Sequence, residues 1–155
     1  MPGRLIAGLL ARRAADAGPI SIASCDNLPE NGVVTRTVVT DLAAVVDATL
    51  LAWIEQHVDF ATSMVDRITP VTTAGDRSLV AQAQGYEDAS PVPTEPFAEW
   101  VISGRFPAGR PAWEDAGARL VEDITPYEQR KLWLLNASQF IAGLRREHPR
   151  PRHDR

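Results

Sequence analysis

The order of the predicted elements places this chain in the α/β class. Residues 20–25, ISIASC, form a short run of β-branched and small side chains that predicts a buried strand. Residues 26–32 have the composition of a turn, and residues 33–57 carry apolar side chains at helical spacing. A strand, a polar loop and a helix in this order are typical of an α/β domain.

Length, charge and cysteine content limit the classes of protein to be considered. The chain has 155 residues, 45% of them hydrophobic, which suits one domain with its own core. Its net charge of −4 favours no nucleic acid partner, and no stretch reaches the ~20 apolar residues of a membrane span. Because Cys25 is the single cysteine, no internal disulfide can form. We therefore expect a cytoplasmic protein that binds neither nucleic acid nor a membrane.

Helix and turn signals define the other elements. Residues 4–16 predict an amphipathic helix that ends at Gly18-Pro19. The segments that follow the long helix are predicted, in order, as an irregular or extended piece, a short helix, a proline-rich loop, a strand or strand pair, a turn and a short extended piece, at residues 58–72, 76–84, 85–96, 97–106, 109–113 and 118–123.

The last predicted helix is apolar nearly all round but carries four polar side chains on one side. It begins at Pro126, with Thr125 as a candidate N-cap. The four residues are Lys131, Glu128, Gln139 and Asn136. At about 100° per residue, with Lys131 set at 0°, the other three lie at about 60°, 80° and 140°, in that order. A helix of this composition is expected to be buried, so its polar side would face a polar cavity or a reaction.

Several segments resemble the long-chain polyol dehydrogenases of the mannitol dehydrogenase family. They occur in the family's order and span roughly residues 4–144. They are SCDNLPENG at 24–32, SMVDRITP at 63–70 and TEPFAEWV at 94–101. The last helix also matches the family's pattern of lysine, four residues, asparagine, two residues and histidine at Lys131 and Asn136. Gln139 stands at the histidine position, which is a departure from the pattern.

The resemblance implies a domain organisation. Residues 1–124 would be the later part of a Rossmann-like nucleotide domain, residues 125–144 the first helix of a helical substrate domain, and residues 145–155 a disordered basic tail. The family is about three times longer, and its phosphate-binding glycine motif is absent, because no G-x-G-x-x-G occurs here. We therefore expect a fragment truncated at both ends and inactive alone, as a broken or frame-shifted gene would produce.

The resemblance also implies how the reaction would proceed. Lys131 would be the general base, and apolar neighbours on its helix would favour the neutral amine, because desolvation disfavours charge. The alternative is a lysine whose ammonium reaches water. Asn136 and Asn27 would hold the substrate oxygen as negative charge develops. The alternatives are a buried amide bonded to backbone for Asn136 and an ordinary turn residue for Asn27.

Three further residues complete the implied site. Glu128 would raise the pKa of Lys131 or relay its proton. The alternative is a first-turn carboxylate that the helix dipole favours. Gln139 can form hydrogen bonds but cannot titrate near neutral pH as histidine does. Asp66 would lie beside the cofactor and substrate, with Asn27 as a second residue at the cofactor. The alternative for Asp66 is an ion pair with Arg67 that fixes a loop.

The cofactor and partners follow from the same resemblance. The cofactor would be NAD or NADP, and the substrate a mannitol-like polyol or its ketose. No metal site is predicted, because His57, His148 and His153 lack ligand spacing with one another or with Cys25. The alternative function is a non-catalytic remnant, or a subunit-like fragment that acts only with a complementary polypeptide.

Overall fold

The computed structural model describes residues 2–136, with the backbone alone at residues 135 and 136. Gln139 and the predicted basic tail at 145–155 lie outside the described residues. Helices and strands are interspersed along this part of the chain, as in α/β proteins. They are α1 (Pro2–Ala14), β1 (Ile20–Ala23), α2 (Asn31–Val46), α3 (Leu50–His57), β2 (Val58–Asp66), α4 (Ala74–Gln84), β3 (Glu99–Ser103), β4 (Arg119–Leu120) and α5 (Thr125–Arg130), with a 3₁₀ turn at Trp113–Ala116 and a π-helical turn at Lys131–Asn136.

The strands form one mixed sheet in the order β1-β2-β3-β4. β1 and β2 are parallel, with Ile20 opposite Val58 and Ala23 opposite Ala61. β3 pairs antiparallel with β2, and β4 pairs parallel with β3. The connection from β1 to β2 runs through α2 and α3, so it is the helical crossover that a parallel pair needs. The α/β class is confirmed.

The segment predicted as irregular or extended at residues 58–72 is extended over its first nine residues, which form the central strand β2. Most of its residues are buried, including Val58, Ala61 and Met64. A strand covered on both faces loses the alternation of apolar and polar residues that marks a strand in a sequence. Small side chains such as Ala61 and Ser63 weakened the signal further.

The single long helix predicted at residues 33–57 is two helices, with a break at residues 47–49. Asp47 takes an extended backbone conformation, and its Oδ1 accepts hydrogen bonds from the Thr49 N–H at 2.9 Å and the Thr49 hydroxyl at 2.6 Å. Arg13 donates to Asp47 Oδ2 at 2.6 Å. Such local bonds compete with the helix ladder, so the helix ends before Asp47 and a new one begins at Leu50.

Helices α1, α2 and α3 cover β1 and the start of β2. Their buried side chains form the largest core cluster, which consists of Ile6, Leu9, Val39, Ala43, Leu50, Ile54 and Val58. A smaller cluster of Met64, Val101 and Ile124, with Tyr127 against it, holds α5 on the sheet. This second cluster places the end of α5 beside the end of β2.

The last helix differs from its prediction in three ways. Thr125 is the first helical residue and not the N-cap, and its N–H donates to Asp123 Oδ1 at 2.9 Å. The helix widens into a π-helical turn from Lys131. Leu132, Trp133 and Leu134 are 47%, 71% and 65% exposed, so this turn is not buried on all sides by the described residues. None of the helices within residues 2–136 has the length and apolar content needed to cross a bilayer.

Candidate active site

The site begins where β1 ends and β2 continues. β1 stops at Ala23, opposite Ala61, whereas β2 runs on to Asp66. Past this point the edge of β2 is occupied by side chains. The Asn31 amide accepts from the Ser63 N–H at 2.9 Å and donates to the Ser63 carbonyl at 2.8 Å. Two residues exchanging both bonds is the pattern of an antiparallel strand pair, so this fully buried amide replaces a strand residue.

The same amide holds the loop that follows β1. Asn31 Nδ2 lies 3.2 Å from the Asp26 carbonyl and 3.4 Å from the Ser24 carbonyl. The Ser63 hydroxyl also donates to the Ser24 carbonyl. Asn31 and Gly32, which the sequence analysis placed in a turn, are instead the first two residues of α2. The loop at residues 24–29 is therefore fixed against the end of β2.

Lys131 reaches the same edge from the end of α5. Its Nζ donates to Asn27 Oδ1 and to the Val65 carbonyl. Val65 lies two residues beyond Ser63, so both carbonyls point to the same side of β2. An ammonium can only donate, so Asn27 presents its oxygen to Lys131 and keeps its Nδ2 hydrogens for another acceptor. The structure thus brings Lys131 and Asn27 together, although they lie 104 residues apart in the chain.

Glu128 joins the site one turn before Lys131. Its Oε1 accepts from the Glu30 N–H at 3.0 Å. Glu30 occupies the N-cap position of α2 with a φ of 51°, in the left-handed region. A carboxylate at this end of α2 is favoured by the helix dipole. The Glu128 carboxylate therefore binds backbone here, and its proposed effect on Lys131 stays a prediction.

These groups line a small pocket at the carboxyl ends of the parallel strands β1 and β2. Ligands of α/β proteins bind at this edge of a sheet. The polar groups inside it come from the loop after β1, the end of β2 and the last helical turn. The lining residues are Asp26, Asn27, Leu28, Pro29, Ser63, Met64, Val65, Glu128, Lys131 and Leu132.

Arg130 fixes the turn that carries Lys131. It donates to Glu99 Oε2 at 2.5 Å, and its guanidinium lies 5.5 Å from the centre of the Tyr127 ring. The hydrogen bond to the Glu99 carboxylate, with the charge attraction between the two groups, raises the pKa of Arg130 above its usual value. Arg130 therefore stays a cation that ties the end of α5 to β3.

Asp66 lies outside the Lys131 pocket. It lines a neighbouring cleft that also contains Glu99 and Trp100. Arg67 contacts the Glu95 carbonyl at 3.3 Å and forms no ion pair with Asp66 among the salt bridges between described residues. The loop-fixing ion pair was thus a wrong alternative, and a role for Asp66 at the cofactor stays a prediction.

Two of the predicted site residues have no described side chain. Asn136 is described by its backbone only, and Gln139 lies outside the described residues. The described residues enclose Lys131 in less apolar surface than predicted, because Leu132 is 47% and Trp133 71% exposed. The sequence analysis also missed Asn31, which it placed in a turn, because no local pattern marks an amide that pairs with the edge of a strand. The described part of the chain contains no cluster of three His, Cys, Asp or Glu side chains arranged to hold a metal ion.

The parallel strands, their helical crossover and the pocket at their carboxyl ends define a Rossmann-type α/β protein. The family model described as the mannitol dehydrogenase Rossmann domain matches residues 1–115. The chain therefore belongs to the mannitol dehydrogenase family, and the resemblance stated from its motifs is confirmed.

Relatives of known name agree with this membership. Mannitol 2-dehydrogenase of Cereibacter sphaeroides is 46% identical over 139 residues, which are 90% of this chain and 29% of that protein. The uncharacterized oxidoreductase YdfI of Escherichia coli is 48% identical over 92% of this chain and 29% of its own length. The chain thus spans less than a third of the relatives that it matches.

A solved structure gives the same result. The Pseudomonas fluorescens mannitol 2-dehydrogenase, a ternary complex with NAD and D-mannitol, superimposes with a TM-score of 0.80 at 46% identity. The match covers 89% of this chain and 28% of that one. A substrate-free D-sorbitol dehydrogenase also gives a TM-score of 0.80, at 37% identity.

Proposed function

We propose that the Lys131 pocket is the reacting part of an NAD(P)-dependent polyol dehydrogenase, which interconverts a mannitol-like sugar alcohol and its ketose. The observation that carries this proposal is the contact of Lys131 Nζ with Asn27 Oδ1 and the Val65 carbonyl at the carboxyl edge of β2. The solved relative in complex with NAD and D-mannitol supports the choice of cofactor and substrate class.

The donors in the pocket fit the reacting end of a nicotinamide cofactor and an alcohol. A bound nicotinamide supplies a hydride acceptor for the carbinol carbon. Asn27 and Asp66 are the candidates for contacting the cofactor. The fit concerns this end alone, because the 155 residues contain no glycine-rich turn for a pyrophosphate.

The chain's own residues handle the proton and the oxygen. Lys131, as a neutral amine, takes the hydroxyl proton, and Glu128 passes it onward. Asn27 Nδ2 donates to the substrate oxygen, with Asn136 as the second donor. One such donor is worth about 10²–10³ in rate. Gln139 orients the remaining hydroxyls of the substrate.

A chimera tests this function. Residues 4–144 would replace the matching segment of the Cereibacter sphaeroides mannitol 2-dehydrogenase, so that the rest of the enzyme is supplied. We expect mannitol-dependent NADH formation by the chimera. Lys131→Met should then lower kcat by about 10²–10⁴, the usual contribution of a general base. Arg77→Met, which removes an exposed cation on α4, is the matched control and should leave kcat unchanged.

The 155-residue chain by itself should show no turnover and no tight NAD binding. The physical reason is the missing phosphate cradle, which supplies much of the affinity for a dinucleotide. Mannitol-dependent NADH formation by the purified chain would contradict this expectation. An inactive chimera with intact secondary structure would contradict the dehydrogenase proposal itself.

A second candidate function, a fragment that acts with a complementary polypeptide, has one specific observation in its favour. The outer edge of β1 has no strand partner among residues 2–136. Beside it runs a groove between α1 and α2 that includes Val34 and Val38, which are 41% and 44% exposed. Unpaired strand edges and apolar surface favour association with another chain.

A further inference from the structure

We infer that Asn31 is the positioning residue of the Lys131 pocket: its buried amide holds both acceptors of the Lys131 ammonium in place. The catalytic meaning of this role rests on the proposed function, but the positioning itself does not. Asn31 has no exposed surface, so it cannot touch a substrate and must act through its neighbours.

The first acceptor, the Val65 carbonyl, depends on Asn31 through the edge of β2. Once β1 has ended, the Ser63 N–H and carbonyl would face either water or a non-native strand. The amide satisfies both, at 2.9 and 2.8 Å, and so keeps β2 extended past the end of its parallel partner. The next carbonyl on that edge is the one that Lys131 contacts.

The second acceptor, Asn27 Oδ1, depends on Asn31 through the loop. Asn27 follows Asp26, whose carbonyl accepts from Asn31 Nδ2 at 3.2 Å. Asn27 itself is exposed, so the loop backbone is what fixes its position. One side chain therefore sets the distance between the Asn27 amide and the Val65 carbonyl, and Lys131 bridges the two.

The composition of the chain makes this inference measurable. Lys131 is the only lysine, against fifteen arginines, so Lys131 and the N-terminal amine are the only two amines that an acetylating reagent can modify. The rate at Lys131, relative to the N-terminal amine, reports how firmly its two acceptors hold it. This readout requires no catalysis, so it can fail independently of the dehydrogenase proposal.

The experiment compares variants of the full chain under conditions where circular dichroism shows them folded. Asn31→Leu has a similar volume and adds no charge, but it loses every hydrogen bond of the amide. Asn31→Ser is also neutral and keeps a single hydroxyl, and it serves if Asn31→Leu does not fold. We expect Lys131 to react about threefold to tenfold faster in both, a factor that the loss of one neutral hydrogen bond would produce. Ile54→Ala, a core change far from the pocket, should destabilise the fold and leave the rate unchanged.

A double variant separates positioning from general loosening. Asn27→Leu removes one acceptor directly and should also raise the rate. If Asn31 acts partly through Asn27, the double variant Asn27→Leu/Asn31→Leu should react more slowly than the product of the two single effects predicts. The inference is overturned if Ile54→Ala raises the rate as much as Asn31→Leu, or if both Asn31 variants react like the wild type.

Discussion

Lys131 is the residue whose chemistry sets it apart from the other cations of the chain. All fifteen others are arginines, which keep their proton in proteins and bind carboxylates and carbonyls as fixed cations. Arg12 contacts the Gly18 carbonyl at 2.9 Å, and Arg13 contacts Asp47 at 2.6 Å. Lysine, unlike arginine, can act as a base, and a base at this position is what the proposed function requires.

Exchange of Lys131 for arginine tests this distinction. In the chimera, Lys131→Arg should keep a cation near Asn27 and Val65 but remove the side chain that can accept a proton. We expect kcat to fall about as far as in Lys131→Met, by roughly 10²–10⁴, with KM changed less. Steady-state kinetics at several pH values would measure both. Appreciable activity of the arginine variant would show that charge and not basicity matters at this position.

At this scale, motif resemblance placed Lys131 and Asn27 in one site, although it paired Asn27 with Asn136 and predicted no contact with Lys131. The structure shows that contact, between two motifs that the chain carries a hundred residues apart. Asn31 sits in one of these motifs but was assigned to a turn. Its role depends on β2 outlasting β1, and the relative length of two strands cannot be read from either segment alone.

Among the secondary-structure elements, α2 approaches the sheet closely at Gly32. A Cβ at this position would lie 2.4 Å from Thr62 Oγ1 and 2.8 Å from the Ala61 backbone. Only glycine therefore permits this approach of α2 to β2. Since Asn31 is the neighbouring residue, the close approach is what lets its amide reach Ser63.

Gly32→Ala should therefore push α2 away from β2. We expect a loss of about 1–3 kcal/mol in the free energy of unfolding, typical of overpacking against backbone. Gly8→Ala in α1 is the matched control, because nothing lies within 4 Å of its added Cβ. The control should gain about 0.5–1 kcal/mol, because alanine suits a helix better. Urea unfolding of both variants measures the difference, and a neutral Gly32→Ala would mean that the backbones can separate freely.

The break between α2 and α3 should give the stability a dependence on pH. The hydrogen bonds from Thr49, together with that from the Arg13 guanidinium, hold the pKa of Asp47 below its ordinary value of 3.8. Because the folded state lowers this pKa, the contribution of Asp47 is present above pH 3.8 and is lost as the pH falls through the lowered value. Asp47→Asn should thus lower the urea midpoint at neutral pH.

The same two proteins compared at acidic pH test whether the stabilisation by Asp47 is lost as the pH falls. The difference in urea midpoint between wild type and Asp47→Asn should shrink towards zero as the pH falls below the lowered pKa of Asp47. Asp41→Asn, an exposed carboxylate earlier in α2, is the control and should change the midpoint little at either pH. A difference that stayed constant with pH would mean that the charge of Asp47 does not hold the break.

The elements with clear local signals were predicted, and those set by neighbours were not. α1, β1 and α4 follow from apolar spacing, small β-branched residues and helix caps; the Thr73–Asp76 capping box begins α4. β2 was predicted only as an irregular or extended segment, because burial on both faces hides its period. The π-helical turn at Lys131–Asn136 was also missed, and it widens the helix so that position 136 lies nearer to the face of Lys131 than 140°.

For the molecule as a whole, the described surface includes an apolar groove. This groove lies beside β1 and combines an unpaired strand edge with Val34 and Val38 on α2. Such a surface favours association, either with a second copy or with the complementary polypeptide proposed above.

Charges placed in this groove should weaken association. We expect Val34→Lys/Val38→Lys to raise the dissociation constant of self-association roughly tenfold, because an apolar contact becomes a charged one. Val71→Lys/Val92→Lys adds the same charge at side chains that are 90% and 69% exposed and lie outside the groove. Sedimentation velocity at several concentrations measures both. Equal weakening by the two pairs would assign the effect to net charge and not to the groove.

The contacts that close the pocket have a consequence for how the chain folds. Lys131 meets Asn27 across 104 residues, and Glu128 meets Glu30 across 98. Joining ends so distant is entropically costly until the intervening sheet has formed, so these contacts should arise late in folding and be among the first lost on unfolding. A chain that is folded except for its last helix would keep most of its sheet and have no pocket. Catalysis at Lys131 would therefore require that folding is complete.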